Sequence, residues 1–309
     1  MMKWNKQGQI SLEKYIKAES LACEFTMLPT PVCINGKMRI FIGFCDSHNV
    51  GRIGYIDVNP NNPKEVLNVS SVPCLDIGRN GCFDDNGVVP LSVIVREGEI
   101  HLYYVGFQLG VKIPYFMFGG LAVSRDGGET FERLSETPIL DRRGDEVFAR
   151  CGMYVMEDDN IFKMWYIGSV GEGWTESGGK LRPLYTMRYL ESKDGVHWMG
   201  EPVTCMEYKN EDEHGFGRPY VWKEQNMYKM LYSIRTYSRG YYIGYAESLD
   251  GINWERKDDL AGISLSADGW DSKNISYPCI VKYQDKKYLF YNGNGCGKEG
   301  FGYAEFILS

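Results

Sequence analysis

The stretch Gly244–Glu255, GYAESLDGINWE, decides the fold, because weaker copies of it recur along the whole chain. A β run ends at Tyr245-Ala246. Asp250-Gly251 then supply a tight turn in which glycine takes positive φ at little cost, and Trp254 opens the next strand. Gly120–Phe131 reads GLAVSRDGGETF, Met187–Trp198 reads MRYLESKDGVHW, and Gly302–Phe306 keeps the truncated form GYAEF. Gly54–Val58, GYIDV, is a looser first copy. Each copy reads as the outer hairpin of a repeated unit.

A second motif runs in phase with the first: a polar turn, then a strand ending in aromatic residues. The turns are Asn35-Gly36, Glu97-Gly98, Asp159-Asn160, Gln225-Asn226 and Asp285-Lys286. The strands are MRIFIGF from Met38, IHLYYVGF from Ile100, FKMWYIG from Phe162, YKMLYSI from Tyr228 and YLFYNG from Tyr288. Five copies in phase, spaced by roughly 60 residues, match the four-strand blade of a propeller. The expected fold is an all-β, five-bladed β-propeller of four-stranded antiparallel blades around a central channel. One such ring uses residues 1–309 as a single domain, with 1–20 as a lead-in that adds a closing strand or a short cap.

Bulk properties narrow the partners. The net charge of -7 is spread along the chain with no basic block, which argues against nucleic acid and acidic membrane and favours a small neutral or locally held anionic ligand. No run is long and apolar enough to span a membrane. The nine cysteines show no paired spacing and the N-terminus lacks a secretory apolar core, so reduced thiols in a cytoplasm are expected. Cys33, Cys151 and Cys279 read as small core residues on innermost strands. Neither a CxxC pair nor a Cys/His cluster offers a metal site, and no cofactor is expected. The 22 tyrosines serve β propensity and blade packing, or sugar stacking.

Strand-opening residues converge on one mouth of the channel, because the innermost strands line the axis. Blade one begins near Glu24. A Gly- and acid-rich loop, LDIGRNGCFDDNGVVP, carries Asp84 and Asp85 toward blade two. The insertion GVKIPYFMFGG, with Tyr115, Phe116 and Phe118, reads as a pocket wall or a partner surface. Blade three opens after DRRGDEVFAR, ending in Arg150, and its Gly171–Pro183 insertion reads as a mobile flap carrying Trp174. Blade four opens with NEDEHGFGRPYV, bringing Glu213, His214 and Arg218, and blade five with DGWDSKNISYPCIV, bringing Asp271, Lys273 and Tyr277.

With the five repeats and the SxDGxxW signature, the chain resembles the superfamily of five-bladed propeller carbohydrate enzymes: arabinanases and β-xylosidases, invertases and levansucrases, and mannoside phosphorylases. The resemblance covers essentially the whole chain. Through FDDNGVVP near residue 83 and GWDSKNISYPCI near residue 269, it looks most similar to propeller proteins of bacterial surface-polysaccharide gene clusters. Such relatives imply a cytoplasmic role in making or trimming an activated or lipid-linked sugar. The superfamily's hydrolases use acids at inner-strand openings. Here blade one offers Glu24 where Asp is usual, blade three offers Arg150, and blade four Arg218 preceded by His214 and Glu213.

Glycosidic cleavage needs a protonated carboxyl and an ionised carboxylate, ~5 Å apart for retention and ~6.5 to 9.5 Å for inversion. The candidates are Glu24, Asp84, Asp85, Glu213 and Asp271, each also readable as a turn carboxylate. Arg150 and Arg218, if not consumed by carboxylates, would with His214 and Lys273 favour an anion such as phosphate, a sugar carboxylate or a nucleotide-sugar diphosphate. Tyr115, Trp174, Tyr237 and Tyr277 would stack on a sugar face or pack in the core. The expected activity is glycosyl cleavage or transfer on a sugar phosphate, nucleotide sugar or glycan precursor. The alternatives are a sugar-binding scaffold without an acid pair and a protein-interaction propeller using Tyr115 to Phe118.

Overall fold

In a computed structural model of the protein, residues 2–15, 21, 23–34 and 36–307 are described. Asn35 of the first expected turn and residues 16–20 of the lead-in lie outside them. Strand β1 (Trp4–Gln9) precedes four antiparallel groups that follow one another along the chain. The first is β2 (Phe25–Ile34), β3 (Lys37–Cys45), β4 (Gly51–Asn59) and β5 (Asn62–Val69). The second is β6 (Val88–Arg96), β7 (Glu99–Leu109), β8 (Tyr115–Ser124) and β9 (Glu132–Arg133). The third is β10 (Ala149–Asp158), β11 (Ile161–Ser177), β12 (Lys180–Ser192) and β13 (Val203–Met206), and the fourth is β14 (Glu213–Glu224), β15 (Met227–Thr236), β16 (Gly240–Ser248) and β17 (Glu255–Arg256).

Strands β18 (Ser276–Tyr283), β19 (Lys286–Asn292) and β20 (Phe301–Phe306) form a last sheet, and β1 returns from the N-terminus to pair antiparallel with β20. The lead-in therefore contributes a closing strand. The first strands of the groups neighbour one another in a cycle: β2 with β6, β6 with β10, β10 with β14, β14 with β18, and β18 with β2. The architecture is a nearly all-β propeller.

The SxDG signature closes the outer hairpins by side-chain capping. Ser248 Oγ accepts the Gly251 N–H at 2.9 Å, and Asp250 Oδ1 accepts those of Ile252 and Asn253, each at 2.8 Å. Ser192 and Asp194 repeat this pattern, and Ser124 and Asp126 make the same bonds one residue further on, to Gly128, Glu129 and Thr130. These residues compete with the ladder for backbone groups, which is why they end a strand so sharply.

Each first strand carries a bulge. Register slips between Met27 and Thr30, Pro90 and Ser92, Cys151 and Tyr154, Gly217 and Tyr220, and Ser276 and Cys279. In all but the second of these strands a positive φ falls in the bulge, at Leu28, Gly152, Arg218 and Tyr277, and proline follows three of these four. Bulges at barrel rims re-aim side chains, and here they turn residues into the axis.

Two expectations change. Gly171–Pro183 is part of the β11–β12 hairpin and not a loop, with a register shift between Ser169 and Trp174, Trp174 paired to Pro183, and the turn made by Gly178 and Gly179 at positive φ. Cys151 and Cys279 are buried, but Cys33 is exposed, because it follows the bulge by enough residues to reach the rim.

Candidate active site

Three of the five candidate acids are neutralised inside the blades. Asp84, with no exposed surface, accepts hydrogen bonds from the Tyr104 hydroxyl at 3.1 Å and Arg133 Nε at 2.8 Å. Asp271 accepts from the Tyr291 hydroxyl at 2.9 Å and Lys6 Nζ at 2.6 Å. Burial opposes ionisation of Asp271, but Lys6, Ser266 and Tyr291 outweigh it and hold the carboxyl below its ordinary value. In the fourth group Arg256 grips Glu213 at 2.7 and 2.8 Å and also reaches Asp258, which takes the Tyr232 hydroxyl at 2.6 Å.

The register shows these to be one repeated clamp. Tyr104, Tyr232 and Tyr291 each lie opposite a glycine, Gly120, Gly244 and Gly302. Two residues beyond those glycines, Ala122, Ala246 and Ala304 pair with the cations Arg133, Arg256 and Lys6. The glycine is required: a Cβ on Gly120 would come 2.3 Å from Tyr104 Cζ. In the third group Tyr166 faces Arg188 instead, and Glu146 takes the Tyr166 hydroxyl at 3.1 Å with Arg150 Nε at 2.7 Å. Burial raises Glu146 above the usual carboxylate range against the pull of Arg150 and Arg188. The first group has Ile42 in place of the tyrosine, opposite Gly54, and no clamp of this kind.

Arg150 is therefore tied to Glu146 and to the Asp141 carbonyl. Arg218 is consumed differently. Its guanidinium donates to the carbonyls of Pro29, Tyr277 and Leu91 and to Thr30 Oγ1, at 2.7 to 3.2 Å, stapling β2, β6 and β18 across the axis. The two arginines expected to receive an anion hold protein groups instead.

At the opening ends of the first strands the side chains are aromatic. Trp174 packs 4.9 Å from Phe148 and 5.3 Å from Tyr115, which meets Phe107 at 6.0 Å. Opposite, Tyr241 lies 5.5 Å from Tyr277 and its hydroxyl 3.4 Å from that of Tyr185. Arg235 stands among them, donating to the Tyr185 hydroxyl at 2.9 Å with its guanidinium 5.4 Å from the Tyr241 ring centroid and the Tyr115 hydroxyl against it. It makes no ion pair among the described residues. Gly215 permits the arrangement, since a Cβ there would lie 2.6 Å from the Tyr185 ring.

His214 is buried beside this cluster, stacked on Tyr237 at 4.4 Å, with Nδ1 3.0 Å from the Pro183 carbonyl. That bond places the proton on Nδ1 and leaves Nε2 as an acceptor. Burial, with Arg235 and Arg182 nearby, lowers its pKa to about 4. Glu24 is exposed, and Asp85 is half-buried and caps the Gly81 N–H at 2.9 Å; neither holds a cation among the described residues. Lys273 is exposed and lines a lateral cavity of about 460 Å³ with Arg239, Tyr241 and Tyr242. Tyr115 to Phe118 run inside β8, where Phe118 is buried and Arg142 covers Phe116 and Phe118, so no open apolar patch forms there.

Across 307 residues the chain is 32% identical to the uncharacterized protein Rv1502 of Mycobacterium tuberculosis (strain ATCC 25618 / H37Rv), covering 98% of this chain and 99% of that one. The chain belongs to the family of Rv1502. No family model matches it. Among solved structures it superposes on a thermostable family-43 glycoside hydrolase with a TM-score of 0.69 at 16% identity, covering 92% of this chain and 89% of that one. A GH43_1 enzyme from Xanthomonas citri complexed with xylose gives 0.63 at 15% identity, with 95% and 90% covered. At such identities the likeness carries the fold, and the expected resemblance to glycoside hydrolase-like propellers holds.

In this Rv1502 relative the sequence reading missed Arg235, Tyr185 and Tyr241. Arg235 directly follows the quoted strand YKMLYSI, and the two tyrosines each stand three residues before the position of Arg188 or Gly244. An arginine just beyond the aromatic end of the repeated strand motif was the available signal.

Proposed function

We propose that the chain is a single five-bladed propeller that cleaves or transfers a glycosyl bond on a cytoplasmic sugar intermediate at the aromatic mouth. The observation that carries this reading is the wall of Tyr115, Trp174, Tyr185, Tyr241 and Tyr277 at the opening ends of the inner strands, on a fold shared with glycoside hydrolases. Aromatic faces suit the apolar face of a sugar ring, and hydroxyls at their edges orient it. A neighbour's complex with xylose supports a sugar as occupant. The free thiols of all nine cysteines support a reducing compartment.

Of the five expected acids, Glu24 and Asp85 keep carboxylates free of a cation, and they are the pair proposed for proton transfer and stabilisation of the anomeric centre. Neutral His214 offers Nε2 to a sugar hydroxyl. The test is turnover of aryl glycosides and glycosyl phosphates by the wild type, Glu24→Gln and Asp85→Asn. Loss of at least about a hundredfold in kcat with an unchanged melting temperature is expected. A second reading, a sugar-binding propeller of polysaccharide biosynthesis, is supported by the enclosure of Asp84, Glu213 and Asp271 in clamps. Sugar binding that survives in all three proteins without turnover would select it.

A further inference from the structure

Eleven of the fifteen arginines form ion pairs. The four without one among the described residues are Arg182, Arg218, Arg235 and Arg239, and each neighbours His214, Tyr241 or Tyr277. Arg218 closes the axis beneath Tyr277. Arg182 lies near enough to His214 to oppose its protonation. Arg239 lines the lateral cavity on the far side of Tyr241 from Arg235. Arg218 is satisfied by carbonyls, but Arg235 has only one hydroxyl bonded at 2.9 Å and aromatic rings around it. A chain of net charge -7 has carboxylates in surplus, yet among the described residues none pairs with Arg182, Arg218 or Arg235, and Arg239 is met only at longer range by Asp212, which it helps hold below its ordinary value.

A partly buried guanidinium without a counter-charge is costly in the apo protein and becomes favourable when a ligand brings the charge. Arg235 has a fixed fork of donors, and its tyrosine neighbours supply hydroxyls to the same point. We propose that the mouth is selective for an anionic sugar, whose phosphate or carboxylate group is held by Arg235 with the hydroxyls of Tyr185, Tyr115 and Tyr241 around it. This deepens the sugar-site reading and rests on it for the sugar portion alone. Arg182 and Arg239 flank the group and supply longer-range attraction.

The test is calorimetric titration of the intact protein, Arg235→Gln and Arg235→Lys with hexose 1-phosphates, hexuronic acids, the parent neutral hexoses and inorganic phosphate. Anionic sugars are expected to bind at least about tenfold more tightly than neutral ones. Arg235→Gln should lower their affinity by about tenfold to a hundredfold, with partial recovery in Arg235→Lys. Preference for the phosphates or for the uronates identifies which oxyanion is native. Equal binding of neutral and anionic sugars, unchanged in Arg235→Gln, would overturn the anion subsite and leave the sugar site standing. Phosphate held through Arg235 with no sugar bound would retain the subsite and overturn the sugar site. Failure of every anion to bind would overturn the proposal outright.

Discussion

The bodies of the blades and the mouth treat charge in opposite ways. In the second and fifth groups a carboxylate is enclosed by a tyrosine hydroxyl and a cation from the outermost strand, and in the fourth Arg256 bridges Glu213 to Asp258, which takes the tyrosine hydroxyl, leaving Asp84, Glu213 and Asp271 almost without exposed surface. At the mouth Arg235 stands among tyrosines with no carboxylate paired to it among the described residues. The difference separates architecture from function: compensated charge fixes strands to one another, and uncompensated charge is held in readiness for something absent. The same distinction separates Arg218 from Arg235, since carbonyls of three strands satisfy the former.

Removing a cation from each region puts the comparison to its hardest test. Arg256→Gln leaves Glu213 and Asp258 enclosed without their shared partner, and breaking such a buried pair costs about 3 to 5 kcal/mol. Urea unfolding of the variant should show that loss with an unchanged slope. A loss under about 1 kcal/mol, the range of exposed pairs, would mean that the clamps are ornamental and that Glu213 is available for chemistry.

The blade repeat was legible because strand, turn and cap chemistry recur in the chain itself. Ser-x-Asp-Gly closes hairpins at Ser124, Ser192 and Ser248 by the same hydrogen bonds that the residue types imply. Phase along a strand also locates which end a residue occupies, so Asp84, Glu213 and Asp271 were correctly placed near strand openings. Phase says nothing of radial direction. Whether such a carboxylate turns to the axis or back over its own blade depends on what lies opposite: Gly120, Gly244 and Gly302 leave room for a tyrosine, and the cation arrives from an outer strand distant in sequence, as Lys6 does for Asp271 across 265 positions. Arg235 escaped for the converse reason, since its meaning lies in the missing partner, which a sequence cannot display.

Acidification gives an intermediate effect. His214 takes up a proton near pH 4 in the folded protein, against an ordinary value of about 6.5 in the unfolded chain. Between those values the unfolded state binds more protons, so stability falls as pH falls through that window. The contribution is on the order of 2 kcal/mol after discounting for solvent. His214→Gln should flatten the stability profile between about pH 6.5 and 4 relative to the wild type. A histidine proton signal titrating near its ordinary value would show instead that the Pro183 bond and the neighbouring arginines leave the ring unperturbed.

The smallest effect on stability belongs to the residue with the largest expected effect on binding. Arg235→Gln removes one hydrogen bond to Tyr185, which favours the wild type, and also a desolvated charge with no carboxylate, which favours the variant. These terms oppose, so the unfolding free energy should change by less than about 1 kcal/mol and in the stabilising direction, as at sites held strained for a ligand. Arg256 and Arg235 lie in the same group of strands, so unfolding both variants under one condition compares compensated with uncompensated charge. A several kcal/mol destabilisation by Arg235→Gln would assign that side chain to the framework with Arg218, and the mouth would lose its claim to an anion.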